Sequence, residues 1–169
     1  EGEGVLLAGC AGGCHMQVNL PLKRETVTGI FATLKVDGLK GGHSGTEINK
    51  GRANANQLLG QVLTALAEKV PYHLVTLAGG LKDNAITREA EAQLIFASRE
   101  VAAEAEKMAA AKGKVFRENC KETDAGVTVT LTVEGEETAA AMTAESAAKV
   151  RALLIRIPNG VVRMNPDIP

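Results

Sequence analysis

Residues 126–135 read GVTVTLTVEG, with Val127, Val129, Leu131 and Val133 on one parity and Thr128, Thr130 and Thr132 on the other. Strict alternation of apolar and polar β-branched residues marks a strand with one face buried and one in water. Residues 28–36 repeat the pattern, with Ile30, Ala32, Leu34 and Val36 opposite Phe31, Thr33 and Lys35. The two strands frame everything between them. Residues 49–69 carry Leu58, Leu59, Val62, Leu63 and Leu66 at helical spacing, and Pro71 marks the stop. Two short apolar runs, 73–78 and 91–97, are joined by GGLKDNAITREA, whose Gly79-Gly80 and Asp83-Asn84 are turn formers, so they read as paired strands. Residues 98–118, rich in Ala, Glu and Lys, predict a second helix with Val101, Ala105, Met108 and Val115 on its apolar face.

The succession is therefore β-α-β-β-α-β. It predicts an α+β, ferredoxin-like fold: an antiparallel sheet with both helices on one face. A further helix over 143–156, with Ala147, Val150, Leu154 and Ile157 in register and Pro158-Asn159-Gly160 ending it, is an addition to that plan. The 169 residues fit one domain, long enough to bury roughly two-thirds of the unfolded surface without disulfide or metal staples.

Composition excludes several functions. Nineteen Lys and Arg against 20 Asp and Glu leave no basic footprint for nucleic acid and no polybasic membrane patch. With 2% aromatic residues and no Trp, base stacking has no platform. Three cysteines, Cys10, Cys14 and Cys120, are an odd number in a chain without a secretion signal, which predicts reduced thiols and a cytoplasmic location. No run reaches the roughly 18 apolar residues that span a bilayer. The start at Glu1 without a Met, and the end at NPDIP, read as a piece of a longer protein, although a chain trimmed of a tag would look similar.

Few residues suggest chemistry. CAGGCH, Cys10 to His15, has three residues between its cysteines where haem attachment has two, and a zinc site would need a second ligand pair that Cys120 alone does not supply. The plainer reading is a small-residue turn. GGHSGT, residues 41–46, fails as a nucleophile elbow because Thr46 stands where a Gly is needed, and no Gly-Lys-Ser/Thr follows for a phosphate loop. What remains is His43 on a glycine-rich segment between a strand and a helix, either a solvated loop histidine or one that meets a ligand. Asn84 and Arg88, in the hairpin connection, suit a carboxylate by amide and guanidinium, or are a turn Asn beside a solvated Arg. Asn54 and Asn56 read as caps or packing residues.

The stretch VDGLKGGHSGTEINKGRANANQLL, residues 36–59, resembles the aminoacyl-histidine dipeptidases, also called Xaa-His dipeptidases or bacterial carnosinases. These belong to the zinc-dependent peptidase superfamily that includes carboxypeptidase G and succinyl-diaminopimelate desuccinylase. The resemblance continues in GCAGG near the start, in GG, DNAI and REA across 79–90, and in PNGVVR near the end. Thr87 departs from it where the family usually has proline, which is expected to loosen a turn beside Arg88.

The resemblance implies that residues 1–169 are the lid, or dimerisation, domain of such an enzyme, with 1–25 and 157–169 as junctions to a catalytic domain. It implies two zinc ions in the parent enzyme, with an aspartate ligand just before Glu1 and the other ligands and the glutamate base outside this chain. His43 matches the lid histidine that reaches the active site, in related dimers that of the other subunit, and stabilises the oxyanion. Asn84 and Arg88 match lid positions suited to the substrate's terminal carboxylate. The expected partners are a dipeptide substrate, a second copy of the chain through this domain, and the catalytic domain, with no nucleic acid and no membrane. On this reading the domain by itself binds no zinc and hydrolyses nothing. The competing expectation is a free-standing ferredoxin-like module that binds a small ligand or a protein, since this fold hosts many functions.

Overall fold

In the computed structural model, which describes residues 3–4 and 12–164, the elements in chain order are β1 (Arg24–Asp37), β2 (Gly42–His43), a 3-10 turn (Ile48–Lys50), α1 (Ala55–Lys69), β3 (His73–Gly79), β4 (Ala85–Ile86), β5 (Ala90–Phe96), α2 (Arg99–Asn119), β6 (Thr128–Met142) and α3 (Ala144–Arg156). β3, β5, β1 and β6 lie in that order in one sheet, every neighbouring pair antiparallel. This is the expected ferredoxin-like arrangement with an added helix. No helix among the described residues is long and apolar enough to cross a membrane.

The register explains the core. Leu74, Leu94, Ala32 and Val133 lie side by side across the four strands, and so do Leu77, Ala92, Leu34 and Leu131. These rows pack with Leu58, Leu59, Val62, Leu63 and Leu66 of α1 and with Ala102, Ala105, Ala109 and Phe116 of α2 in one cluster, so both helices cover the same face. At about 25 cal/mol per Å² of apolar surface removed from water, such a cluster is the main favourable term of the fold.

Several expectations are corrected. The first helix begins at Ala55 and not at Asn49, because Gly51, in the left-handed region at φ 63°, separates the 3-10 turn from α1. Asn54 caps α1, its Oδ1 accepting the Asn56 N–H at 2.9 Å. The buried stripe of α2 is Ala102, Ala105, Ala109, Gly113 and Phe116, while Val115 is half exposed. Both stripes have helical period; the small residues win because they bring the helix axis close to β6. Ile157 lies past the end of α3 and is exposed, although Ala147, Val150 and Leu154 do pack on the core.

β6 runs well past residue 135, to Met142. Glu136, Glu137 and the alanines 139–141 are poor strand formers by propensity. Pairing with the first half of β1, from Arg24↔Met142 to Ile30↔Glu136, overrides that preference. A register shift between Ile30 and Ala32 bends this arm, and Arg24 ties it across, donating to the carbonyls of Val75 and Ala140 at 2.8 Å each. A second small cluster results on the other face, Phe31, Val75, Ile95 and Ala141.

The last correction positions the candidate site. The connection between β3 and β5 contains a strand, β4, which pairs antiparallel with β2 as a separate two-stranded ribbon, Gly42↔Ile86 and His43↔Ala85.

Candidate functional site

The β2–β4 ribbon brings together segments more than 40 positions apart. His43 stands directly opposite Ala85, and the Ser44 N–H donates to the Asn84 carbonyl at 2.9 Å. His43 is exposed, as are the side chains of Asn84 and Arg88.

The hydrogen bonds of His43 define its chemistry. Its Nδ1 accepts the N–H of Gly45 at 3.0 Å and that of Thr46 at 3.3 Å. A ring nitrogen that accepts carries no proton, so the neutral imidazole holds its hydrogen on Nε2, a donor. Its backbone is held as well: the His43 N–H donates to Glu47 Oε2 at 3.0 Å, and its carbonyl accepts the Glu47 N–H at 3.1 Å. Glu47 in turn receives Lys50 Nζ at 2.8 Å and lies 3.1 Å from Arg52 Nη2. The Lys50 hydrogen bond and then the His43 N–H hold the Glu47 carboxyl down to about 2. Arg52 also donates to the Gly41 carbonyl.

Arg88 is placed differently. Its aliphatic stem crosses Gly41, where a Cβ would fall 2.3 Å from Arg88 Cγ. At φ 65°, Gly41 holds a backbone conformation that disfavours any other residue. The guanidinium acts on Asp37, whose carboxyl is held below its usual range by Lys35 first, then the Gly38 N–H, with Arg88 adding to the effect. A cavity of about 180 Å³ lies here, lined in part by Asp37, Leu81, Ile86, Arg88 and Glu89. The fold thus joins His43 and Asn84 through the ribbon, and lays the stem of Arg88 across Gly41.

Thr87 does not loosen a turn. It is buried at the end of β4, its carbonyl accepts the Ala55 N–H at 3.0 Å, and its hydroxyl receives the Asn56 amide at 3.4 Å. Among the described residues, buried Asn56 Oδ1 meets no hydrogen-bond donor. Cys10 lies outside the described residues; Cys14 is exposed, and His15 Nδ1 is 3.3 Å from Asp83 Oδ2 on the surface. Among the described residues, no group of three or more His, Cys, Asp or Glu is placed to hold a metal ion.

Four residues at the site escape sequence reasoning. Glu47 and Arg52 look like ordinary loop charges, and only Glu47's spacing of four from His43 hints at contact. Asn159, in PNGVVR, donates to the Arg52 carbonyl at 3.1 Å and accepts from the Asn54 amide at 3.2 Å, tying the segment after α3 to the start of α1. Asp124 is fully buried, and its two oxygens accept the N–H groups of Lys40 and Ala53. Nothing in its local sequence separates it from a solvated turn aspartate.

Comparison with known proteins gives this geometry a context. Residues 34–124, more than half of the chain, match the family described as the peptidase dimerisation domain, M20_dimer. The chain is 36% identical over 170 residues, 99% of its own length and 34% of the relative's, to the cytosol non-specific dipeptidase of Escherichia coli (strain K12). Its structure is similar to the crystal structure of the aminoacylhistidine dipeptidase from Vibrio alginolyticus, with a TM-score of 0.81 and 27% identity over 88% of this chain and 30% of that one. The chain spans about a third of the length of these relatives.

Proposed function

The chain belongs to the peptidase dimerisation domain family, and from that premise we propose that it is the lid and dimerisation domain of a zinc-dependent, cytoplasmic dipeptidase of the Xaa-His type. Residues 1–25 and 157–169 are its junctions to the catalytic domain, and the parent protein is a homodimer through this domain. His43 supplies the oxyanion donor, and Asn84 and Arg88 hold the terminal carboxylate of the dipeptide. On this reading the two zinc ions and their ligands belong to the catalytic domain, and no step through them follows from this chain.

One observation carries the reading: His43 Nδ1 is occupied by two backbone N–H groups, which leaves Nε2–H as the donor on an exposed ring. When water adds to a peptide carbonyl, charge develops on its oxygen. A donor already oriented toward that oxygen stabilises the transition state more than the ground state. For Arg88 the support is its exposed side chain beside the cavity that Ile86 and Glu89 also line.

The test is hydrolysis of aminoacyl-histidine dipeptides by the full-length protein carrying this domain, with zinc added, comparing wild type with His43→Ala. The expected result is turnover by a species that sediments as a dimer, with kcat lowered about 10²–10³-fold in the variant and KM little changed. Unchanged kcat would remove His43 from the reaction. Absence of hydrolysis on any dipeptide would overturn the peptidase reading in favour of a ligand-binding module.

A further inference from the structure

We propose that Asp124 is a positioning residue for His43: it closes the neck of the loop formed by residues 40–53 and so fixes the direction of the imidazole. The inference rests on the reading of His43 given above.

Asp124 occupies the tight turn between α2 and β6. Its N–H donates to the Cys120 carbonyl at 2.7 Å, and its own carbonyl accepts the Val127 N–H at 3.0 Å, so its backbone is fixed on both sides. The side chain is fully buried. Burying a carboxylate is costly unless its oxygens find donors, and here both do so on one loop. Oδ1 accepts the Lys40 N–H and Oδ2 the Ala53 N–H, each at 2.9 Å. One group therefore gathers the two ends of the segment that carries His43. Ala53 immediately precedes the cap of α1, so the carboxylate also lies at the positive end of that helix.

Above the neck the loop is cross-braced by Arg52 on the Gly41 carbonyl and by Glu47 on the His43 N–H. The result is a closed, self-packed surface loop. The two N–H groups that occupy His43 Nδ1, those of Gly45 and Thr46, belong to the same loop. They stay aimed at the ring only while its backbone keeps this shape. Releasing either end at Asp124 lets them move away, and the imidazole then loses both its single tautomer and its direction.

Asp124→Asn is the probe, because an amide accepts one N–H and turns a donor toward the other. In the full-length protein, hydrogen exchange across residues 43–47 is expected to quicken about tenfold or more while α1 and β5 stay protected. With a dipeptide, kcat is expected to fall about tenfold with KM nearly constant. Combining Asp124→Asn with His43→Ala should cost no more than His43→Ala alone, since both act through one imidazole.

Unchanged exchange at 43–47 in Asp124→Asn, or losses that multiply in the double variant, would overturn the inference. Faster exchange together with full activity in His43→Ala would leave the hold on the loop standing and defeat the oxyanion reading instead. If Asp124→Asn does not fold, wild-type exchange decides. Opening of Lys40, Gly45, Thr46 and Ala53 in a single event supports the neck, and Lys40 and Ala53 remaining closed while Gly45 and Thr46 exchange freely overturns it.

Discussion

The four-stranded sheet with its helices and the β2–β4 ribbon with its loop are held together by different physics. In the sheet, rows such as Leu74, Leu94, Ala32 and Val133 gain stability from apolar area, which is non-directional and shared among many side chains. The ribbon has two residues per strand and little apolar surface of its own. Its shape comes from directional bonds: Asp124 to Lys40 and Ala53, Glu47 to His43, and Arg52 to Gly41. Area makes a platform stable, whereas directional bonds aim a side chain. A change in the first region should therefore be read mainly in stability, and a change in the second mainly in activity.

The largest expected effect on stability lies in the sheet. Leu94 is fully buried in β5 between Ala32 and Leu74, and Leu94→Ala should lower the unfolding free energy by about 2–5 kcal/mol in urea titrations. A loss well below that range would mean that the rows are not the main support. Gly41→Ala comes next, at about 1–3 kcal/mol, because position 41 has φ 65°, where a non-glycine residue is strained, and an added Cβ meets the Arg88 stem and the Ile86 carbonyl oxygen. A stabilised variant would show that the loop backbone relaxes freely. His43→Ala, for all its expected effect on kcat, should leave stability within about 0.5 kcal/mol, since the side chain is exposed. A loss as large as that of Leu94→Ala would erase the distinction between the regions.

The smallest effect is an acid titration. Glu47 titrates at about 2 in the folded protein against an ordinary value of 4.5, chiefly through Lys50 and the His43 N–H. A lowered folded value means that the carboxylate's contribution is complete above about 4.5 and is lost as pH falls toward about 2. Carboxyl-resolved NMR should place the midpoint near the lower value. A midpoint at the ordinary value would show that neither Lys50 nor the His43 N–H holds the carboxylate in solution.

Sequence reading reached the sheet because period-two and helical patterns are local, and each residue reports its own face. It reached His43, Asn84 and Arg88 as candidates because their segments carry a family resemblance. It stopped at the extension of β6, where Glu136 to Ala141 favour a helix by themselves and become a strand only through pairing with β1. It stopped also at the face of α2, where Val115 has the right spacing and the alanine stripe has the right depth.

By itself the sequence determined the order of the four sheet strands and three helices, the α+β class and the family, all of which rest on patterns within short windows. Only the tertiary structure decided that β2 finds β4, that Asp124 closes the loop of residues 40–53, and that His43 presents Nε2–H. Those outcomes depend on hydrogen bonds between positions tens of residues apart or on the detailed turn of one loop. A backbone N–H is the same group at every residue other than proline, so which acceptor it meets is written in the fold and not in the letter.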